Sequence, residues 1–208
     1  MNRQTQYVVV MGVSGSGKTE VARRLASMTD TMYLDADDHH PSTNVEHMRR
    51  GLPLNDDMRW PWLDAVAAAA RTQAGSVASS EGSAKSGQAI FIACSALKRR
   101  YRDVLRTHLD PITFVFLDGT REVILSRLER RVGHFMPSAL LDSQFTALEP
   151  PGPDENCVTV FIDAPLETVV ATVLDRLAER EDGSFSFYQR EYCRKIRHFR
   201  EKTNDQDS

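Results

Sequence analysis

The chain has 208 residues, 41% of them hydrophobic, which is enough for one α/β domain with a substantial core. A formal net charge of −3 gives no global basic field for nucleic acid, and no apolar run approaches the length of a membrane span. Cys94, Cys157 and Cys193 are scattered and odd in number, so the pattern predicts reduced thiols in a cytoplasmic protein, with no disulfide framework and no zinc site.

The polar Met1–Gln6 start predicts no secretory leader, and Tyr7–Met11 predicts the first strand. That strand ends in Gly12-Val13-Ser14-Gly15-Ser16-Gly17-Lys18-Thr19, a complete G-x-x-x-x-G-K-[ST] loop. Lys18-Thr19 opens a helix to about Met28, with Val21, Leu25 and Met28 on one face. Glycines let such a loop curl until its N–H groups point inward at phosphate oxygens, and the helix N-terminus adds positive potential. Lys18 then reaches the outer phosphates, and the Thr19 hydroxyl suits Mg2+. A chance match would lack the strand before the loop and the helix after it.

Met32–Asp35 predicts a second strand, followed by Asp35-Ala36-Asp37-Asp38-His39-His40-Pro41. Thr43 and Glu46 form a capping-box pattern for a helix reaching Arg50, which Gly51-Leu52-Pro53-Leu54 breaks. Trp60-Pro61 then starts an alanine-rich helix through Ala70. Residues 75–88 are low in complexity and read as a flexible surface loop. Ala89–Cys94 predicts strand three, with Ser95 capping a helix over Lys98–Arg106. Ile112–Leu117, a helix over Thr120–Arg130, an irregular start to residues 132–141, the strand Cys157–Ile162 and the helix Pro165–Ala178 complete the alternation.

Five short apolar strands alternating with helices predict a parallel sheet flanked by helices on both faces. Ligands in such sheets sit at the carboxyl ends of the strands, which groups Gly12–Thr19, Asp35–His40, Ser95–Arg102 and Asp163–Glu167 around one crevice. Beyond it, Phe185, Tyr188, Tyr192, Ile196 and Phe199 recur at helical spacing, and the tail balances seven Lys+Arg against seven Asp+Glu, so it is no basic arm. The final Thr-Asn-Asp-Gln-Asp-Ser predicts a disordered end.

The acidic turn carries the next chemistry. Residues i and i+2 at a strand end face the same way, so Asp35 and Asp37 are expected in the crevice and Asp38 in the turn. A kinase needs one carboxylate near its metal and another to orient or deprotonate the accepting hydroxyl. Strand three ends Ile92-Ala93-Cys94-Ser95, without the Walker B aspartate of switch GTPases and motor ATPases. Arg49, Arg59, Lys98, Arg99 and Arg102 offer places for a substrate carboxylate, set against the bland reading of Arg99 and Arg100 as a solvated helix face. Arg127, Arg130 and Arg131 lead into Gly133-His134-Phe135-Met136-Pro137, a pattern that suits a lid closing on phosphates or a basic helix end.

Together these stretches resemble the gluconokinase family, in the shikimate-kinase and nucleoside-monophosphate-kinase branch of P-loop proteins. The resemblance is carried by Gly12–Thr19, Asp35–Pro41 with Asn44, Gly51–Leu63, Ala93–Asp103, Gly133–Pro137 and Leu140–Phe145. It implies ATP-dependent phosphorylation of D-gluconate to 6-phosphogluconate with Mg2+, in a homodimer. It implies a kinase domain over residues 1–178 with a lid at about 131–144; the tail over 179–208 departs from the family pattern, and its spacing predicts a helical extension with a disordered end. Gly12, Val13, Ser14, Gly15, Ser16, Gly17, Lys18, Thr19 and Arg127 would bind ATP, and Thr19 with Asp35 would support Mg2+. Lys18, Asp37 and Arg131 would be catalytic, while Asp37, His40, Asn44, Arg59, Lys98 and Gln144 would meet the substrate. Against this stand a kinase of another small hydroxy acid such as shikimate, a catalytically silent nucleotide-binding protein and a nucleic-acid-dependent ATPase. The Trp60-Pro61-Trp62 stretch, the retained Lys18 and aspartates, and the missing Walker B with the net charge argue against each in turn.

Overall fold

The computed structural model describes residues 4–78, 89–129 and 138–180. Five strands, β1 (Gln6–Met11), β2 (Met32–Asp35), β3 (Ala89–Ala93), β4 (Ile112–Asp118) and β5 (Cys157–Phe161), form one sheet in the order β2-β3-β1-β4-β5. Every pairing is parallel, so the carboxyl ends of all five lie along one edge. The expected five-stranded α/β architecture is therefore the observed one.

The unbroken apolar runs of β1, β3 and β4 follow from burial on both faces. Val8, Val10, Phe91 and Val115 pack under α1 (Lys18–Thr29) and α7 (Leu166–Ala178). Val9, Ile90, Ile92 and Phe114 pack against α3 (Asp56–Ala78) and α4 (Arg99–His108), with Trp62 the largest fully buried side chain. β5 is an edge strand and alternates: Val158 and Val160 are buried while Phe161 is 74% exposed. No helix among the described residues is long and apolar enough to cross a membrane.

Several local expectations give way to tertiary contacts. The helix α2 (Ser42–Arg49) starts after Pro41 with no side-chain cap, and Glu46 turns outward to Arg50 Nε at 3.0 Å, so the Thr43–Glu46 capping box does not form. Helix α3 begins at Asp56, not at Trp60-Pro61, because Asn55 Oδ1 accepts the Met58 N–H at 2.9 Å. Pro61 thus lies inside the helix, which forgoes the bond that Pro61 cannot donate. The same helix runs through Gly75 to Ala78, so part of the expected loop is helical and the rest, residues 79–88, lies outside the described residues. Ser95 does not cap α4; the Arg99 N–H instead donates to Glu149 Oε2 at 2.7 Å. After α5 (Arg121–Glu129), Ser138–Ala147 forms a further helix, α6, anchored by the fully buried Leu141. The part of the expected lid from Ser138 onward is therefore core-bound helix, and residues 130–137, like 181–208, lie outside the described residues.

Arg102, read as one of a basic helical face, is fully buried. It donates Nε to Glu155 Oε2 at 2.6 Å and Nη2 to Oε1 at 2.9 Å, and Nη1 to the carbonyls of Ala96 and Leu97, both at 3.1 Å. Glu155 is 1% exposed and also accepts the Gly152 N–H at 2.9 Å. This clamp ties the segment before α4, where Ala96 adopts a φ of +42°, to the loop before β5. Arg102 is thus spent on structure and unavailable to a substrate carboxylate.

Hydrogen bonds from Arg102 hold the Glu155 carboxyl below its ordinary range. Its contribution to stability is accordingly present above the unfolded pKa of about 4.3 and lost as pH falls below it. Glu155→Gln leaves the guanidinium buried and short of its counter-charge, and is expected to cost about 3–5 kcal/mol of unfolding free energy. Urea denaturation at neutral pH measures this, and a midpoint unchanged from wild type would show that the clamp carries no stability.

Candidate active site

The loop between β1 and α1 is shaped by its glycines. Gly12 has a φ of +142° and its N–H donates to Ser95 O at 3.3 Å; a Cβ there would lie 2.9 Å from Leu117 O. Gly17, at φ +94°, turns the chain into α1. Between them Lys18 Nζ reaches Val13 O at 3.0 Å, and Ser16 is buried under the loop. Ser14, Gly15, Gly17, Lys18 and Thr19 line a cavity of about 490 Å³, joined by Asp35, Asp37 and Arg127. A glycine-rich loop, one lysine and a helix N-terminus lining this cavity suit it to an anion.

Arg127 lies on α5. It reaches Ser16 O at 3.2 Å through Nη1, and Ala164 O at 3.3 Å and Ile162 O through Nη2. It therefore stands in the body of the fold, braced beneath the phosphate loop, and not on a lid. Arg131 lies outside the described residues.

The acidic turn is organised by Asp35. Its Oδ2 accepts from Thr19 Oγ1 at 3.0 Å and from the Tyr33 hydroxyl at 2.6 Å, while Oδ1 accepts the Asp37 N–H at 3.1 Å. That last bond starts a short 3-10 turn over Ala36–His39, which replaces the extended alternation expected from sequence. The outcome for direction is the same: Asp35 and Asp37 line one cavity, and Asp38 turns away to a different hollow beside Tyr33 and Gln73. Tyr33 was not singled out in the sequence, although its place two residues before Asp35 puts both on one strand face. Burial and the adjacent Asp35 push its phenol far up, so it stays a donor. Among the described residues no group of three or more His, Cys, Asp or Glu is arranged to hold a metal. One hydroxyl and one carboxylate fit the sparse protein shell of Mg2+, which keeps waters and phosphate oxygens as its remaining ligands.

A second cavity, of about 650 Å³, lies beside the first. Ser14, Lys18 and Asp37 line both. The Asp37 side chain is 81% exposed, and its carboxyl is pushed up from the ordinary range chiefly by desolvation; Lys18 opposes the rise and Asp35 and Asp38 add to it. His40 stacks on Trp62 with centroids 4.3 Å apart, and its Nε2 lies 3.8 Å from Asp37 Oδ1. Arg59 donates Nε to Leu54 O at 3.3 Å and lies over the Tyr101 ring at 5.3 Å. Lys98 Nζ is 3.1 Å from Asp56 Oδ1, and Gln144 Oε1 accepts the Ser14 N–H at 2.7 Å. Arg59, Lys98, His40 and Gln144 all line this cavity.

Asn44 stands apart from these. It is 3% exposed, donates to Met58 O at 2.8 Å and so ties α2 to α3 behind the wall, outside the cavity lining. Asp56, missed in the sequence, gathers Lys98, the Tyr101 hydroxyl and Arg100, and the Tyr101 hydrogen bond above all holds its carboxyl below the ordinary range. No local pattern signals a contact 42 residues away in the chain.

Burial, reinforced by Arg59, lowers the His40 pKa from 6.5 to about 4. Above pH 6.5 folded and unfolded forms are both neutral here; below it the unfolded chain takes up a proton that the fold refuses. Stability therefore falls as pH drops from 6.5 towards 4, by about 3 kcal/mol from this group. His40→Phe keeps a ring on Trp62 and removes the titration. The variant is expected to lose about 3 kcal/mol less than wild type between pH 7 and pH 4 in urea unfolding. Equal losses in the two proteins would refute the shift.

A family model described as an AAA domain matches residues 8–151. The thermoresistant gluconokinase of Escherichia coli (strain K12) is 43% identical over 175 residues, covering 84% of this chain and 94% of the relative. The gluconokinase of Gluconobacter oxydans (strain 621H) is 43% identical over 160 residues, covering 77% and 84%. The crystal structure of a gluconokinase from Sinorhizobium meliloti 1021 superimposes with a TM-score of 0.71 at 40% identity, covering 86% of this chain and 96% of that one.

Proposed function

The chain belongs to the gluconokinase family, and we infer that it transfers the γ-phosphoryl group of ATP to the primary hydroxyl of D-gluconate, giving 6-phospho-D-gluconate and ADP. The observation that carries this reading is that two cavities share Ser14, Lys18 and Asp37 in their linings. An anion cradle on one side and a polar, cationic chamber on the other meet at a lysine and a carboxylate, which is what transfer between two bound substrates requires.

In this reading residues 12–19 cradle the phosphates and Lys18 stabilises the charge that develops on the transferring group. Thr19 and Asp35 would hold Mg2+, which when bound neutralises charge on the outer phosphates. Asp37 accepts the hydroxyl proton, a role that suits an open carboxylate lining both cavities. Arg59 takes the substrate carboxylate. It is favoured over Lys98, whose charge already faces Asp56 at 3.1 Å. His40, neutral at pH 7, serves a polyol hydroxyl, and Arg127 supports the phosphate loop from below. Asn44 is assigned to shaping the wall, given its bond to Met58 O. Arg131 remains a lid contribution suggested by family resemblance. A homodimer in the cytoplasm completes the proposal, supported by that resemblance and by free Cys94 and Cys157.

ADP release coupled to an indicator reaction tests the assignment. It is expected to depend on gluconate and not on shikimate, nucleoside monophosphates or the absence of acceptor. Release driven equally by shikimate would move the chain to another acceptor, and release driven by none would support a silent nucleotide-binding protein. Arg59→Lys is expected to raise KM for gluconate strongly, since loss of a paired charge-assisted contact costs about 2–5 kcal/mol, with KM for ATP nearly unchanged. It also narrows the preference for gluconate over sorbitol. An unchanged preference in steady-state kinetics would place the carboxylate elsewhere, with Lys98 the next residue to test.

A further inference from the structure

Gln144 holds an unusual position for a side chain on the acceptor wall. Its Oε1 accepts the N–H of Ser14, a residue shared by both cavities, at 2.7 Å. A backbone nitrogen can only donate, so the oxygen end of the amide must face the phosphate loop. The Nε2 end, with two N–H donors, is what Gln144 has left to present to the cavity it lines. The side chain is also well anchored. Leu141, three residues earlier on α6, is fully buried, and just beyond the helix the Glu149 N–H donates to Leu97 O at 2.9 Å.

Resting on the kinase reading, we propose that Gln144 is a catalytic residue whose amide nitrogen donates to a non-bridging oxygen of the transferring phosphoryl group. During transfer the bond from the acceptor oxygen to phosphorus forms as the bond from phosphorus to the departing ADP oxygen breaks. The hydroxyl proton passes to the Asp37 carboxylate, and negative charge spreads over the three equatorial oxygens. A donor tethered to the phosphate loop keeps its distance to that charge whichever acceptor is bound. Gln144 therefore acts on the phosphoryl group itself, and its effect extends to transfer to water.

The test uses the full chain with Gln144→Met and Gln144→Glu. It measures gluconate-dependent ADP release and the slow hydrolysis of ATP without acceptor, with thermal melting as a check on folding. Gln144→Met loses both ends of the amide. Gln144→Glu keeps an oxygen for Ser14 and loses the donors. Both are expected to lower kcat by about 100-fold, the scale seen for one donor to a developing oxyanion. For Gln144→Met the KM for gluconate and for ATP should stay within about threefold. Hydrolysis to water should fall in parallel with transfer to gluconate. A Gln144→Glu enzyme with wild-type kcat would reduce the residue to a tether and overturn the proposal. A raised KM for gluconate with kcat and hydrolysis unchanged would overturn it in favour of an acceptor ligand. If Gln144→Met fails to fold, Gln144→Glu alone decides. A wild-type chain that hydrolyses ATP but ignores gluconate would retire the substrate assignment, while the hydrolysis arm would still judge Gln144.

Discussion

The carboxylate of Asp35 joins the two halves of this site. It answers the Thr19 hydroxyl from the first turn of α1, the Tyr33 hydroxyl from its own strand and the Asp37 N–H from the turn that follows. Because α1 begins inside the phosphate loop, this one group fixes the acidic turn against the anion cradle. Asp37 owes its place at the junction of the cavities to a hydrogen bond it makes with its backbone, leaving its own carboxylate open to the cavity.

The acceptor wall is built differently, by charges that are matched before any ligand arrives. Arg102 and Glu155 are buried together and hold the Ala96–Leu97 carbonyls. Asp56 gathers Lys98, Arg100 and Tyr101. Arg59, on the same wall, donates to the Leu54 carbonyl and lies over the face of Tyr101.

The sheet and the phosphate loop were legible because their determinants are local or one-dimensional. Strands buried on both faces need continuous apolar runs, and a phosphate cradle made of backbone needs glycines at fixed spacing. The carboxylate pair was legible in direction but not in conformation, since the Asp35 cap replaces a strand-like alternation with a 3-10 turn. Helix starts were misplaced wherever the cap comes from afar: Glu149 caps α4 across 50 residues, and nothing around Ser95 signals that. Helix α6 lacks an acidic first turn and a basic last turn, and its stability comes from burying Leu141. Arg102 shows the limit most plainly. In sequence it was a candidate for a substrate carboxylate, and only the fold brings Glu155 to it across 53 positions.

The sharing of Ser14, Lys18 and Asp37 by the two cavities has a kinetic side. A sugar acid that has received a phosphoryl group is anionic at both ends. On the proposed assignment it would meet Arg59 with one end and Lys18 with its new phosphate, both of which line the second cavity. On that assignment, a product so placed would overlap the positions of both substrates and compete with each, slowing its own formation without a separate regulatory site.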